Sequence, residues 1–440
     1  MYPARSATTS VPRVEVIPPI IRRNTVLLAI TQACVGIGTQ MVPTLGAITT
    51  VQLTGALGLA GLATSILGAT RLVIAYPIGI VMDRYGRRAG LALGLVWCML
   101  GGLGIGTAIR GHSVSGFLIG TVLLGSGVSA VQQLRLAAAD MYPPERRGQG
   151  MGYVLSGALL GALAAPGLVS LAQHLAHRTQ GDPVAAAWLL VPLACLPSLG
   201  LLVLIRPDPR EIARDLQTYY PRYVPPAGEV AADSARVDWK TLLGYYPRQA
   251  AFASSFAAQG NMTMLMAMTS LVLAHHDHDL TAISLAMAIH VVGMFGLSLP
   301  LGKLADSLGR RNVMLLGLGG GLVGGLLVSL TSGYWLVTAG TFLVGLGWSG
   351  VNVGAAALLA DTTGALERGR AIGLNDALSS AGAAMMPLVG GLLLAWAGLP
   401  SLALVSAALT LVPAVLLLRL AEPQPGTYHC PPWCRSGGAR

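Results

Sequence analysis

Twelve stretches of about 20 mostly apolar residues, each long enough to cross a bilayer as a helix, dominate this 440-residue sequence. Charged residues make up only 10% of the chain and hydrophobic residues 53%, so a soluble protein of this composition could not cover its surface with polar groups. The apolar stretches are continuous and do not alternate, which argues against a membrane β-barrel. We therefore predict an all-α membrane protein and exclude a soluble enzyme and a disordered chain.

The predicted spans form two sets of six, separated by a charged, proline-rich segment. They lie at 25–48, 57–82, 89–109, 115–139, 150–175 and 185–205, and at 249–274, 281–303, 313–331, 335–360, 371–396 and 401–420. This division predicts an N-terminal tail at 1–24, a six-helix bundle at 25–205, a linker at 206–248, a second six-helix bundle at 249–420 and a C-terminal tail at 421–440.

The lysines and arginines set the predicted orientation. All but four of the 28 lie in the tails, the linker and alternate loops on one side of the membrane; the exceptions are Arg71, Arg110, Arg135 and Arg178. Because positive charge concentrates in cytoplasmic loops, we expect both termini and the linker in the cytoplasm. The chain is then a multi-pass protein of the inner or plasma membrane.

The two halves repeat each other. GIVMDRYGRR begins at Gly79 and GKLADSLGRR at Gly302, while GTVLLGSGVSAV begins at Gly120 and GTFLVGLGWSGV at Gly340. Chance matches would not keep nearly the same separation in different regions. Many secondary transporters are built from such repeats, with the substrate site between the halves near the bilayer midplane.

With these motifs the chain resembles the major facilitator superfamily over about residues 20–420. The loop 2–3 signature of that family is Gly-x-x-x-Asp-Arg-x-Gly-Arg-Arg, and two copies are present. The first copy is complete in Gly79, Asp83, Arg84, Gly86, Arg87 and Arg88; the second keeps Gly302, Asp306, Gly309, Arg310 and Arg311. The resemblance implies twelve transmembrane helices in two pseudo-symmetric six-helix bundles that rock about a central cavity.

The resemblance also implies a conformational latch at these loops. Asp83 is expected to face the positive N-terminal end of span 11, near Gly369 to Gly373. Arg84 is expected to pair with Asp140 at the end of span 4. Such a latch would hold the outward-open state and release as the halves rock.

The second half carries a changed version of the latch. Asp306 and Asp361 occupy the equivalent places, but Ser307 replaces the first arginine and is expected to break the set. In both halves the alternative is that the arginines serve only as positive-inside anchors.

Polar residues along spans 1, 4, 7 and 10 are candidates for substrate binding, because by resemblance these four spans line the cavity. One face of span 4 carries Thr121, Gly125, Ser129, Gln132 and Arg135. The alternative for the small residues is close helix packing. The candidate substrate-binding residues are Gln32, Gln40, Arg71, Gln132, Arg135, Gln259, Asn261 and Asn352.

Arg71 is the most informative of these. It lies twelve residues before Asp83, which places it about 18 Å along the helix and near mid-bilayer. A charge at that depth is costly and usually marks a functional site. The repeat puts Met294 at the equivalent place, so the fold does not require the charge. Arg71 either binds an anionic group of the substrate or forms a structural pair with a carboxylate or backbone carbonyls.

Two titratable residues are candidates for proton coupling. His290 lies in span 8 at a similar depth, and histidine changes charge near neutral pH. Asp376 lies in span 11, where the repeat has Leu155 in the first half. In the alternative, each is a hydrogen-bonded structural group.

The remaining motifs indicate no cofactor and no nucleic-acid partner. No Gly-x-x-x-x-Gly-Lys-Ser/Thr loop is present, so ATP is not expected to drive transport. The loop His275–His278 and the tail residues His429, Cys430 and Cys434 could bind a metal weakly. We favour a solvated loop and a metal-free tail, and expect the alternate methionines at 262–268 to pack in the core.

We interpret the chain as a monomeric secondary active transporter, not an enzyme, that moves a small organic solute by alternating access and is coupled to protons. Gly382, Pro387, Gly390 and Gly391 resemble an element that exporters of the family carry in span 5; here it lies in span 11 and slightly favours efflux, as an antiporter. Uptake of an organic anion recognised by Arg71 is the alternative. A nontransporting membrane sensor is an alternative of another class.

Overall fold

The computed structural model describes residues 17–221, 223, 243–363 and 365–421. Within these ranges, twelve helical segments are long and apolar enough to cross a membrane, which confirms the predicted all-α architecture. Spans 1 to 6 are Pro19–Thr54, Leu57–Tyr85, Arg87–Arg110, Val114–Asp140, Pro144–Thr179 and Pro183–Leu204; spans 7 to 12 are Tyr246–His275, Leu280–Leu308, Arg310–Leu330, Tyr334–Thr362, Glu367–Ala397 and Pro400–Leu418. The tail motif with Cys430 and Cys434 and most of the linker lie outside the described residues.

Eleven of the twelve spans begin earlier than predicted, spans 1 and 5 by six residues each. Span 1 starts at Pro19 rather than 25, because a proline at the first helical position lacks only an N–H that the helix does not use. It is interrupted at Gln40, which divides it into Pro19–Thr39 and Met41–Thr54. Span 7 starts at Tyr246 rather than 249.

The start of the linker is folded onto the N-terminal half. It forms the helices Pro209–Arg214 and Leu216–Tyr219, and Ile212 and Tyr220 are fully buried in the core of that half. The Asp208 carboxylate accepts hydrogen bonds of 3.1 and 3.0 Å from the backbone N–H groups of the first two residues of span 3. An anion stabilises a helix N-terminus, so Asp208 fastens the linker to loop 2–3.

Spans 3 and 4 in the first half, and spans 9 and 10 in the second, pack through glycines at equivalent positions. A Cβ atom on Gly101 would lie 2.4 Å from the backbone nitrogen of Leu124, and one on Gly324 would lie 2.5 Å from the carbonyl oxygen of Gly340. Small residues allow membrane helices to approach this closely. The two halves therefore share their packing as well as their helix order.

The halves meet closely at one end of the molecule. We name the end with the arginine-rich loops at Gly86 and Gly309 the basic face, and the other end the opposite face. At the opposite face spans 2 and 11 touch, since a Cβ atom on Gly61 would lie 1.9 Å from the carbonyl oxygen of Pro387. There also, the hydroxyl group of Thr281 in span 8 donates a hydrogen bond to the side chain of Gln173 in span 5.

At the basic face the same spans are apart. Among the described residues, no atom of another span lies within 4 Å of the Cβ positions of Gly79, Gly302, Gly369 and Gly373, in spans 2, 8 and 11. The structure is therefore closed at the opposite face and open at the basic face.

We expect Gly61→Ala to shift the protein toward conformations open at the opposite face, because the added methyl group cannot fit beside Pro387. Spin labels at the exposed residues Arg178 and His275, one in each half, should report a longer distance than in the unsubstituted protein. Gly200→Ala is the matched control, since the Cβ position of Gly200 contacts no described atom within 4 Å. Equal distances in both variants would contradict the closing role of Gly61.

Candidate functional site

A cavity of about 320 Å³ lies between the two halves, within the region that opens to the basic face. Spans 1, 2, 4 and 5 line it from the N-terminal half, and spans 7, 8, 10 and 11 from the C-terminal half. Seven of the eight predicted substrate-binding residues line it, together with Asp376. These seven are Gln32, Gln40, Arg71, Gln132, Arg135, Gln259 and Asn352.

Three charged side chains share this cavity. Arg71 and Arg135 come from the N-terminal half and Asp376 from the C-terminal half. None of the three forms an ion pair with a described residue. The cavity thus holds two cations against one anion, and both guanidinium groups keep donors available.

The cavity amides differ in how they are held. Gln259 is buried, and its Oε1 accepts a hydrogen bond of 2.8 Å from the indole N–H of Trp348, which fixes both side chains. The Nε2 atom of Gln40 is also buried but has no hydrogen-bond partner among the described residues. A buried donor without a partner is costly, so Gln40 is available to a ligand or a water molecule.

Two predicted residues lie outside the cavity lining. The buried side chain of Asn261 donates a hydrogen bond of 3.4 Å to the backbone carbonyl of Gly321 in span 9. His290 is buried between spans 8 and 10, with its Nδ1 2.6 Å from the carbonyl oxygen of Thr341. A carbonyl only accepts, so Nδ1 carries the proton. Val291, the next residue, lines the cavity instead.

The sequence analysis missed an apolar group on the C-terminal side of the cavity. It consists of Phe295 and Trp348 with three methionines, Met262, Met266 and Met294. Met262 and Met266 are one helical turn apart and both line the cavity, although Met262 also belongs to the core, in which Met264 and Met268 are fully buried. The i, i+4 spacing within the methionine run is the available signal; the predicted core packing is confirmed for Met262, Met264 and Met268 and not for Met266.

The ion pairs of the basic face differ from the predicted latch. Arg87, not Arg84, pairs with Asp140, with Nε 2.8 Å from Oδ2. Arg87 also pairs with Asp83 at 3.2 Å. Arg87 begins span 3, which packs directly against span 4, whereas Arg84 lies on the exposed last turn of span 2 with its guanidinium 5.4 Å from the Tyr85 ring. Asp83 is exposed and pairs with Arg87 in this open conformation, and its predicted approach to span 11 in the outward-open state stays a prediction.

The second half has the same arrangement in this conformation, and Ser307 does not disrupt it; the effect of Ser307 on a latch of the outward-open state stays a prediction. Arg310 pairs with Asp361 at 3.0 Å and with Asp306 at 3.2 Å. The paired arginine, Arg87 in the first half and Arg310 in the second, is present in both copies of the motif. The residue at position 307 is not a member of these ion pairs. Arg88 and Arg311 complete the repeat, because each donates to backbone carbonyls at the C-terminal end of a span, Leu202 in span 6 and Leu418 in span 12.

The histidine-rich loop between spans 7 and 8 has no metal-site geometry. In the described part of the chain no group of three or more His, Cys, Asp and Glu side chains could hold a metal ion. His278 packs on Tyr334 with ring centroids 5.1 Å apart.

Asp140→Asn and Asp361→Asn should both lower the melting temperature, and Arg84→Gln should not. The paired side chains are only 13–26% exposed, so we expect each loss to cost about 1–2 kcal/mol, between the values for surface and buried ion pairs. Thermal unfolding of the three purified variants in detergent checks this. If Arg84→Gln destabilised the protein as much as Asp140→Asn, Arg84 would have to belong to the pair.

Comparison with known proteins agrees with this architecture. The profile of the Major Facilitator Superfamily matches residues 28–244 and 251–429. The uncharacterized MFS-type transporter YdeG of Bacillus subtilis (strain 168) is 27% identical over 405 residues, covering 91% of this chain and 93% of that protein. The riboflavin transporter RfnT of Brucella anthropi is 26% identical over 413 residues, covering 90% and 96%.

Among solved structures, the inward open conformation of the xylose transporter XylE from E. coli matches with a TM-score of 0.69 and 15% identity. The match covers 93% of this chain and 98% of XylE, and it establishes the shared fold. The family consists of membrane transporters, which agrees with the prediction that the chain is not an enzyme. The chain therefore belongs to the major facilitator superfamily.

Proposed function

We propose that this transporter moves a small organic anion together with a proton by alternating access. The observation that carries the proposal is the charge of the cavity, in which Arg71 and Arg135 face a single carboxylate, Asp376. Two cations without ion-pair partners, at the interface of the halves, favour an anionic ligand. The similarity to a protein named as a riboflavin transporter supports an organic solute.

The two arginines bind the anionic group of the substrate. Guanidinium groups stay charged at any working pH and match a carboxylate with two parallel hydrogen bonds. Gln40, whose buried Nε2 lacks a partner, supplies a further donor. Asn352 and Gln132 are additional polar contacts from facing halves.

Asp376 couples the substrate to protons. In the empty cavity its carboxylate is the acidic neighbour of Arg71. A bound anion pairs with Arg71 in place of Asp376 and repels the Asp376 carboxylate. Asp376 therefore takes up a proton as the substrate binds. We assign this role to Asp376 rather than to His290, because Asp376 lines the cavity and His290 does not.

Export is the second candidate function. It is favoured by the glycine-proline element of span 11, because Pro387 and Gly391 form the contact with Gly58 and Gly61 that closes the opposite face. With the basic face in the cytoplasm, as the positive charges predict, this contact would be the outer gate. Uptake and export are distinguished by imposing a pH gradient of either sign on proteoliposomes of known orientation.

Arg71→Gln should abolish the thermal stabilisation that organic anions give. We expect benzoate and hexanoate to raise the melting temperature of the unsubstituted protein more than their neutral amides do, since a ligand that binds only the folded state stabilises it. Arg71→Gln should weaken anion binding about tenfold or more, because charge-assisted hydrogen bonds are lost. Arg71→Lys keeps the charge but loses the two parallel hydrogen bonds of the guanidinium group. Its affinity for anions should lie between those of the unsubstituted protein and Arg71→Gln.

Arg178→Gln, an exposed arginine near the opposite face, is the matched control for charge and should bind anions normally. Preserved anion binding in Arg71→Gln would overturn the proposed anion site. Anion binding without any flux in proteoliposomes would instead indicate a nontransporting sensor.

Asp376→Asn should remove the pH dependence of anion transport. An amide cannot take up a proton, so net accumulation driven by a pH gradient should be lost while exchange of internal for external anion persists. Proteoliposome uptake of radiolabelled benzoate, with and without the gradient, measures both. Asp277→Asn, in the exposed loop 7–8, is the control; gradient-driven accumulation by Asp376→Asn would place the coupling group elsewhere.

A further inference from the structure

We infer that the transported anion carries an aromatic ring system, which binds the C-terminal half while its anionic group binds the N-terminal half. This inference rests on the proposed function, because it assumes that Arg71 and Arg135 bind an anion. It adds a second subsite with a different chemistry. The argument depends on how the lining residues are divided between the halves.

The two sides of the cavity are chemically different. Both arginines, Arg71 and Arg135, come from the N-terminal half, whose apolar lining is aliphatic. The C-terminal half contributes both aromatic residues, Phe295 and Trp348, with the methionines Met262, Met266 and Met294. A ligand that fills the cavity therefore contacts cations at one end and polarisable, ring-shaped groups at the other.

The fold itself does not require this division. The internal repeat aligns Met294 with Arg71, Phe295 with Leu72 and Trp348 with Val128. At the first position a cation in one half corresponds to a thioether in the other, and at the other two an aliphatic side chain corresponds to an aromatic one. The sequence has only five phenylalanines and seven tryptophans, so the presence of one of each in the cavity lining is a specific feature.

The aromatic pair is held in a fixed geometry. The rings of Phe295 and Trp348 lie edge to face, with centroids 6.1 Å apart and an angle of 84°. The indole N–H of Trp348 already donates to Gln259 at 2.8 Å, so the polar atom of the indole is satisfied within the protein. Both rings remain partly exposed and line the cavity. A planar ring can therefore pack against them in the stacked or edge-to-face geometries that aromatic groups prefer.

The methionines suit the same ligand. Met262, Met266 and Met294 are flexible and polarisable, and thioether sulfur makes favourable contacts with aromatic rings. Aliphatic side chains, as on the N-terminal side, would bind a saturated body equally well. The C-terminal subsite thus favours an aromatic body over a saturated one of the same size.

A ligand with an anionic group at one end and an aromatic ring at the other also contacts both halves at once. An anion without a ring contacts chiefly Arg71 and Arg135, on one half, whereas an aromatic anion contacts Trp348 and Phe295 on the other half as well. A ligand shifts a conformational equilibrium only by its difference in affinity for the two states. We therefore expect the aromatic anion to change the relative position of the halves and the ring-free anion to bind without doing so.

Calorimetric titration with three matched compounds tests the inference. The probes are 2-naphthoate, its saturated analogue decahydro-2-naphthoate, and the neutral 2-naphthamide. We expect 2-naphthoate to bind about tenfold more tightly than either of the other two. Trp348→Leu and Phe295→Leu should each remove most of the preference for the aromatic acid, so that the ratio of the two affinities falls toward one.

Two controls separate a local effect from a global one. Trp396→Leu removes a tryptophan that is 85% exposed at the opposite end of span 11 and should change no affinity. Trp348→Phe keeps a ring and should retain most of the preference, which guards against a Trp348→Leu variant that fails to fold. Spin labels at Tyr85 and Leu308, exposed at the basic ends of spans 2 and 8, should move closer with 2-naphthoate and not with the ring-free anion hexanoate.

The outcomes distinguish this inference from the proposed function. Equal affinities for the aromatic and saturated acids, unaltered by Trp348→Leu but lost in Arg71→Gln, would overturn the aromatic subsite and leave the anion site standing. Binding of 2-naphthamide as tight as that of 2-naphthoate, unaltered in Arg71→Gln, would support a ring subsite and overturn the anion transporter. Loss of ring preference in Trp348→Leu with anion binding retained supports both.

Discussion

Close backbone contact at glycines is the interaction on which this structure depends. In a bilayer an apolar side chain gains little by leaving lipid for another helix, so helices associate through dense packing and a few polar contacts. Glycines such as Gly101 and Gly324 bring spans 3 and 4, and spans 9 and 10, to distances at which no Cβ atom would fit. These rigid pairs leave the contact between the halves as the place where the molecule can change shape.

The contact between the two halves differs between the opposite face and the basic face. At the opposite face it depends on Gly61 against Pro387, a fit that tolerates no added atom. At the basic face the arginines pair within each half, Arg87 with Asp140 and Arg310 with Asp361, and leave Asp83 and Asp306 exposed. These ion pairs therefore lie within each half and not between the halves. Opening at this end breaks none of them.

Hydropathy and repeat spacing were sufficient to predict the spans and the two halves, because these depend on patterns that extend over many residues. The family resemblance indicated which spans line the cavity, and through it most of the polar residues named as candidates. Contacts that depend on the rotation of a helix by a fraction of a turn were not predictable. His290 and Val291 are neighbours in sequence, yet only Val291 lines the cavity. Arg84 and Arg87 are three residues apart, but a helix boundary at Gly86 separates them, and only Arg87 reaches Asp140. The beginning of span 1 was missed because Arg22 and Arg23 lie in its first turns, where hydropathy is low.

The charge of the cavity has a consequence for the membrane potential. With Asp376 ionised, its three charged side chains sum to one positive charge; a bound monoanion with a proton on Asp376 gives the same sum. Under the proposed coupling of one anion to one proton, the empty and loaded forms carry equal charge through the field, and a complete cycle would move none. The potential, worth about 2.3 kcal/mol per elementary charge per 100 mV, would then supply no force for accumulation, which the pH gradient alone would provide. It would act instead on the distribution of conformations in both forms, since a negative potential on the side of the basic face, predicted to be the cytoplasm, would hold the positive cavity open toward that face.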